Sequence, residues 1–364
     1  GPYRYGQIPP APTPVFDLPH ADWWWIVLAD VLVSAADRAG TGIAWLDYWP
    51  DRLPAIGHLS HDADLNRDED AEAALAAFAK AGVTVTWCQL YPGRYSPGIY
   101  QRITAAGHEH ALHYNAMPEG DITSWGRREF LAQLAWVRAI TDTDDVVSNK
   151  NHYTRWEGWT EFYDWCDEAG IRIDESRGSS KVGDVGFTFG TAHPYFPIGD
   201  ATRGNRCYPV LSLPLHTQDL ALAAHESCRD VILDGALAVN GVAHFLFHGP
   251  HLRTRPDTAA AFERLMQAVR DRGMQWWTAG RIDAWERARR TVELSVHHQG
   301  SGATVVARSV AALPGATILV SLPGVVAADV RGDADLLPVR RHGRDYAGIC
   351  VDLEPGVRQW SLRW

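Results

Sequence analysis

The chain has 364 residues, of which 46% are hydrophobic and 21% charged, so it can bury a sizeable core and is not disordered. Its net charge is −10 and its lysines and arginines are scattered, which argues against nucleic acid as a partner. The longest apolar run, Trp23 to Val33, is shorter than the ~20 residues that cross a bilayer and contains Asp30, so we expect no membrane span.

Cysteine and tryptophan usage bears on the class of protein. Five cysteines are an odd number without CxxC spacing, so the sequence predicts neither a disulfide framework nor a cysteine zinc site. Sixteen tryptophans exceed ordinary usage, and their flat rings can stack on sugars or fill the core. The Gly1-Pro2 start is typical of a protease-cleavage scar, and a signal upstream of it would make the protein extracellular or part of the cell envelope. The sequence does not indicate an oligomeric state.

The chain divides into three segments by its pattern. Residues 1–54 form an N-terminal lead-in, with a Pro-rich stretch from Ile8 to Pro14 and a helical segment from Trp23 to Ala36. Over residues 55–290, short apolar runs alternate with amphipathic helical segments, which is typical of β-α units around a parallel sheet or barrel. Residues 291–364 change to period-two runs with turns, which predicts a small antiparallel, β-sandwich-like accessory module.

The alternation in the middle segment can be followed element by element. The predicted helices are 68–82, 99–106, a stripe through Phe130, Leu134 and Val137, a stripe from Trp159 to Cys166, and 258–272. The predicted strands are 83–90, 110–113, 171–174, 242–247 and 274–278. Glycines end several of the helices, as Gly82 and Gly170 do. The pattern predicts an α/β fold.

Ligand-type residues cluster where predicted strands end, which is where α/β barrels build active sites. The pair Asp62 and Asp64 puts two carboxylates on one side of an extended chain, so that one can hold a metal ion while the other works as a base. The same acids could instead begin a capped helix. Three histidines fall within residues 108–113, and His248 ends a strand, where it is either a proton donor or a buried structural histidine.

Taken in order, these segments resemble the polysaccharide deacetylases of carbohydrate esterase family 4, the NodB homology domain. The resemblance covers about residues 55–280. The matching motifs are Asp62-Ala63-Asp64, Thr84-Val85-Thr86-Trp87, Gly107-His108-Glu109-His110-Ala111-Leu112-His113 and Phe245-Leu246-Phe247-His248. It implies a distorted (β/α) barrel of NodB type over residues 55–290.

The resemblance also assigns roles to individual residues. Asp62 matches the catalytic base and His248 the general acid, while Asp64 and His113 match metal ligands. The position of the family's second metal histidine is Met117 here, and the third motif, usually R-x-P, reads Lys150-Asn151-His152. We therefore expect His152 to replace the missing ligand, the alternative being a metal-free domain. Asp219 is a candidate to hold the imidazole of His248.

The remaining assignments concern substrate. Lys150 falls where an arginine orients the base in the family, and Arg155 is close enough in sequence to compete with it. Trp156, Trp159 and Tyr195 are candidates to stack on sugar rings. The resemblance implies a metal-dependent deacetylase that hydrolyses N-acetyl groups of an amino-sugar polysaccharide, with a divalent ion expected to be zinc. Two alternatives stay open: an inactive carbohydrate-binding protein on the same fold, and a metal-dependent hydrolase of small-molecule C–N bonds.

Overall fold

The structure is a computed structural model that describes residues 15–117, 125–179 and 184–364. The Pro-rich stretch expected over Ile8 to Pro14 lies outside these residues. The described chain forms two compact units. The first contains residues 15–19, 56–237 and 241–283, and the second contains residues 20–55, 238–240 and 284–364.

Helices and strands alternate through residues 56–283, as the sequence pattern predicts, and the structure adds elements outside that prediction, such as a helix at Cys228–Ala238. The helices are α1 (His20–Arg38), α2 (Asp68–Ala81), α3 (Pro97–Ala105), α4 (Arg127–Thr141), α5 (Glu161–Ala169), α6 (Cys228–Ala238), α7 (Gly249–Thr254), α8 (Pro256–Asp271) and α9 (Ala279–Arg289). The strands are β1 (Val15–Phe16), β2 (Ile43–Leu46), β3 (Ile56–Asp62), β4 (Thr86–Leu90), β5 (Glu109–Tyr114), β6 (Ser148–Asn151), β7 (Ile173–Asp174), β8 (Val185–Gly186), β9 (Leu211–Ser212), β10 (Thr217–Gln218), β11 (Val242–His248), β12 (Gln275–Trp277), β13 (Glu293–Gln299), β14 (Gly302–Ser309), β15 (Leu313–Ser321), β16 (Arg331–Gly332), β17 (Asp335–Arg341), β18 (Arg344–Leu353) and β19 (Gly356–Arg363).

The first unit is built around a parallel sheet in the order β10-β11-β3-β4-β5-β6-β7-β9. A ninth strand, β12, pairs with the start of β3 at Ile56–His58, while β4 pairs with its end at Ser60–Asp62. Because β3 has two partners on one side, the sheet splits there, and this split distorts the barrel. The predicted α/β fold with a distorted (β/α) barrel is confirmed.

The core strands of this sheet are buried along their whole length. Every residue of β3 and of β11 is buried, as expected for parallel strands covered on both faces. The helix α2 shows how the covering layer is encoded: its apolar face, including Ala74, Leu75 and Phe78, is buried. It ends at Gly82, whose φ of 68° lies in the left-handed region that glycine adopts at low cost.

Parallel strands end at one edge of the sheet, and this places the polar segments together. Asp62 and His248 are the last residues of the neighbouring strands β3 and β11, and they lie opposite each other in register. His113 of β5 lies opposite Lys150 of β6. The carboxyl edge of the sheet is therefore where the predicted site residues from four strands converge.

The second unit contains two antiparallel sheets, in the orders β13-β14-β19-β16 and β17-β18-β15-β2. The predicted antiparallel β module is therefore present. The strand β2, from the segment expected as a lead-in, pairs with β15, Ile43 lying opposite Ser321. Side chains from both sheets form a core that includes Val305, Ile318, Ile349 and Leu362.

Across residues 15–117, 125–179 and 184–364, none of the helices combines the length and apolarity that a bilayer span requires.

Candidate metal and catalytic site

Three predicted metal ligands meet at the carboxyl edge of the sheet. Asp64 lies two residues beyond β3, His113 lies in β5, and His152 follows β6 directly. The Oδ1 atom of Asp64 lies 3.6 Å from the Nε2 atom of His113 and 3.7 Å from the Nε2 atom of His152. Tetrahedral zinc with bonds of about 2.0–2.1 Å separates its ligand atoms by roughly 3.3–3.4 Å. The three side chains are thus arranged so that one small cation could contact all of them.

The tautomers of both histidines leave the Nε2 atoms available for a metal ion. The Nδ1–H group of His113 donates to the carbonyl oxygen of Lys150 at 2.8 Å. The Nδ1–H group of His152 donates to the Oδ1 atom of Asn115 at 3.1 Å. Such contacts orient metal-binding imidazoles and make Nε2 the atom with the lone pair.

Two ligand atoms of this group are buried without a hydrogen-bond partner. Among the described residues these are the Nε2 atom of His113 and the Oδ1 atom of Asp64. Buried polar atoms are almost always paired, so unpaired ones that face the same point indicate a missing partner. The residues present therefore fit a divalent cation.

Asp62 lies beside this group, and its surroundings favour the ionised carboxylate. Its Oδ2 atom is 3.4 Å from the Nε2 atom of His113, and its Oδ1 atom is 3.5 Å from the Nζ atom of Lys150. Burial alone raises the pKa of the Asp62 carboxyl, but electrostatic attraction to the neighbouring His113, Lys150 and His248 side chains outweighs burial, so the pKa lies below its ordinary value. The Asp62 side chain is therefore a carboxylate near neutral pH.

His248 lies on the other side of the group and is held by Asp219. The Oδ2 atom of Asp219 accepts from the Nδ1–H group of His248 at 2.5 Å and from the Nδ1–H group of His251 at 2.8 Å. The Nε2 atom of His248 faces Asp64, at 3.7 Å from its Oδ2 atom. Burial lowers the pKa of His248, but Asp219, Asp64 and Asp62 outweigh this and raise the pKa to about 10.

A buried hydrogen-bond network underlies the site. The Nζ atom of Lys150 donates to the Oγ atom of Ser60 at 2.9 Å, and the Ser60 hydroxyl donates to the Nε2 atom of His244 at 2.9 Å. The Nε2 atom of His58 lies 2.9 Å from the Oε2 atom of Glu175, which is 3.3 Å from the Nε2 atom of His244. This network fixes the position of the Lys150 ammonium group beneath Asp62.

The other predicted substrate residues lie apart from one another. Lys150 contacts Asp62, whereas the guanidinium group of Arg155 bonds Glu157 and the carbonyl oxygen of Ala116. Trp156 is half-buried and packs on Phe162 and Tyr163, with ring centroids 5.2 and 5.1 Å apart. The backbone of Tyr195 pairs with Ser212 of β9, two strands beyond β6.

Sequence reasoning missed three contributors to the site. Asn115 orients His152, His251 shares the carboxylate of Asp219, and Glu175 belongs to the buried network. Glu175 follows a predicted strand directly, so the rule that singled out the other strand ends could have found it. The local sequence could not have predicted that Asn115 contacts His152, because the two residues follow different strands, β5 and β6.

Comparison with known proteins identifies similar solved structures only. No family model matches the chain, and no curated protein matches it. A provisionally assigned polysaccharide deacetylase from Mycobacterium smegmatis is 17% identical, with 68% of this chain and 94% of that chain covered and a TM-score of 0.49. A family 4 carbohydrate esterase from Streptomyces lividans, in complex with acetate, is 13% identical, with 60% and 90% covered and a TM-score of 0.35.

The similar structures also include a mutant of a CE4 family pseudoenzyme, which is 11% identical, with 66% of this chain and 70% of that chain covered and a TM-score of 0.39. The solved structures to which this chain is similar thus include proteins assigned to the family that its motifs resemble. At these identities and scores the likeness carries no information about activity, which has to come from the residues of the site.

Proposed function

We propose that the protein is a metal-dependent deacetylase that hydrolyses N-acetyl groups of an amino-sugar polysaccharide. One observation carries the proposal: Asp64, His113 and His152 converge, with buried unpaired atoms on Asp64 and His113, directly beside a carboxylate and an imidazole that could exchange protons with a substrate. A purely structural metal site would not require a neighbouring carboxylate and imidazole such as those of Asp62 and His248.

Asp64, His113 and His152 would hold the divalent ion, for which zinc is the expected identity because two imidazoles and a carboxylate form a common catalytic zinc set. When bound, such an ion polarises a carbonyl group and lowers the pKa of water. Three protein ligands leave room for water or substrate.

Asp62 would act as the general base. It is ionised, it lies next to the proposed ligands, and Lys150 holds one of its oxygens. Asp62 takes a proton from the water molecule that attacks the acyl carbon, and a C–O bond forms as the proton leaves. Lys150 would be a positioning residue, because its ammonium group contacts Asp62 and is completely buried.

His248 would act as the general acid. Its Nδ1–H group is held by Asp219, so the Nε2 atom faces the site and can carry the second proton. As the C–N bond breaks, Nε2–H donates to the departing nitrogen, and the products are acetate and a free amino sugar. The raised pKa keeps the His248 imidazole protonated at neutral pH.

Exposed aromatic side chains in the segment that follows β6 support a carbohydrate substrate. The side chain of Tyr153 is 60% exposed and that of Trp159 is 63% exposed, so both offer ring faces to solvent. Large exposed aromatic rings are costly to leave in water and can stack on the apolar faces of sugars. Trp159 is thereby preferred over Trp156 as a stacking residue.

The test is acetate release from N-acetylglucosamine oligomers by zinc-loaded protein, with Asp62→Asn and His248→Gln as the inactivating variants. We expect acetate from the parent protein and a loss of at least ~100-fold in each variant, the range that general acid–base groups contribute. Stoichiometric zinc without acetate release from oligomers or small amides would favour the carbohydrate-binding alternative. Release from small amides alone would favour the small-molecule hydrolase.

A further inference from the structure

Arg177 follows the carboxyl end of β7, at the same edge of the sheet as the proposed metal ligands. In the β6–β7 register, Asn149 lies opposite Asp174, and the chain continues from Asp174 through Glu175 and Ser176 to Arg177. The backbone N–H of Asn151 donates to the Oγ atom of Ser176 at 2.8 Å, which joins the residue before His152 to the residue before Arg177. Arg177 therefore directly follows a residue that is bonded to the chain next to a proposed ligand.

Two aromatic rings hold the guanidinium group of Arg177. Its Cζ atom lies 4.7 Å from the ring centroid of Trp156 and 4.9 Å from that of Phe189. Trp156 is itself backed by Phe162, and the carbonyl oxygen of Arg177 accepts from the backbone N–H of Leu215 at 2.9 Å. A stacked arginine on a fixed backbone has lost much of its freedom already, so binding a ligand costs it little further entropy.

The charge of Arg177 is not neutralised within the described chain. No carboxylate of the described residues forms an ion pair with it, and the two acids that precede it are used elsewhere. Asp174 accepts from Asn149 and Ser176, and Glu175 contacts His58. Arg206 offers the contrast: it also stacks on a ring, with its Cζ atom 5.0 Å from the centroid of Tyr208, but it pairs with Asp164 and Asp167.

A planar guanidinium with free N–H donors matches a carboxylate. A phosphate carries up to two negative charges, so the acids of the site, Asp62, Asp64 and Asp219, repel it more strongly than they repel a carboxylate. Building on the proposed function, we infer that Arg177 is a specificity-determining residue and that the substrate is an acidic glycan, with a carboxylate on or next to the N-acetylated sugar. Trp156 then supports Arg177 and need not stack on a sugar itself.

The experiment measures binding, so it does not depend on turnover. Zinc-loaded Asp62→Asn protein is titrated calorimetrically with an oligosaccharide of alternating N-acetylglucosamine and glucuronic acid, with its methyl ester, and with a sulfated neutral oligomer of equal length. We expect the carboxylate form to bind about 10-fold or more tightly than its ester, as for a hydrogen-bonded charge. Adding Arg177→Gln should abolish this preference, and Arg177→Lys should retain part of it.

Arg206→Gln is the matched control, because it removes a stacked arginine whose charge is already neutralised, and it should keep the full preference. A merely structural Arg177 would change the melting temperature and weaken all oligosaccharides equally, which would overturn the inference. Equal binding of acid and ester, tighter binding of the sulfated oligomer, or no binding of any glycan would overturn it too. A carboxylate preference without any acetate release from the parent protein would refute the proposed function and leave the role of Arg177 standing.

Discussion

Replacing His152 by alanine is the sharpest test of the metal site. By the resemblance, His152 lies in the third motif at a position where the family usually has a proline, so its role as a ligand would be particular to this chain. The substitution removes one of three proposed ligands, whose Nε2 atom lies 3.7 Å from the Asp64 carboxylate. It leaves Asp64, His113 and the hydrogen bond from His113 to Lys150 unchanged. His152 lies in a short turn after β6, outside the helices and strands of the sheet, so we expect the fold to survive its replacement.

The magnitude follows from the number of ligands. Loss of an outer partner of a metal site typically costs about 10–100-fold in affinity, and a direct ligand should cost at least as much. The expected increase in the dissociation constant is therefore at least ~10–100-fold, which corresponds to about 1.4–2.8 kcal/mol. The Asp64 carboxylate and one imidazole would then be the only protein ligands left to the ion.

The assay is competition for zinc against a fluorescent chelator, with elemental analysis of the dialysed protein. Met117→Ala is the first control, because the resemblance places Met117 at the position of the family's second metal histidine; a thioether is a poor zinc ligand, and we expect nearly unchanged affinity. His297→Ala, an exposed histidine of β13, controls for adventitious binding by imidazole. Parental zinc affinity in the His152 variant would refute this ligand set.

Three further outcomes are expected. Asp62→Asn should keep stoichiometric zinc, measured by elemental analysis, while acetate release falls at least ~100-fold; turnover at the parental rate would reject Asp62 as the base. Asp219→Asn should also keep zinc but lower kcat by about 10²–10⁴-fold, because the uncharged amide has one acceptor oxygen and cannot serve both the two imidazoles and the backbone N–H of His248; an unchanged kcat would contradict the role of Asp219. Burial lowers the pKa of His216 to about 4, below its value of ~6.5 in the unfolded chain, so stability is full above pH 6.5 and falls by up to about 1.4 kcal/mol per pH unit toward pH 4. Urea unfolding of chelator-treated protein from pH 7 to 5 should show a shallower decline for His216→Gln, and an equal decline would exclude this histidine as a cause.

Local pattern was sufficient to predict most elements of the barrel. The stripe of α2 and its end at Gly82 are encoded within fifteen consecutive residues, and so are the apolar run of β11 and its final histidine. Helices and strands of this kind follow from side-chain periodicity and capping, which act over a few residues. The pairing of β2 with β15 could not be predicted in this way, because the two strands are far apart in the sequence.

The sequence by itself determined which chemical groups stand at the ends of strands: the acids after β3, the histidine of β5 and the histidine that ends β11. Only the tertiary structure decided which of these groups touch. In the folded chain His152 lies next to Asp64, and Asp62 contacts Lys150 and not Arg155. The guanidinium group of Arg177 lies against the rings of Trp156 and Phe189. The physical reason is that strand register and loop path set the distances between side chains from different strands, and these depend on the packing of the whole sheet.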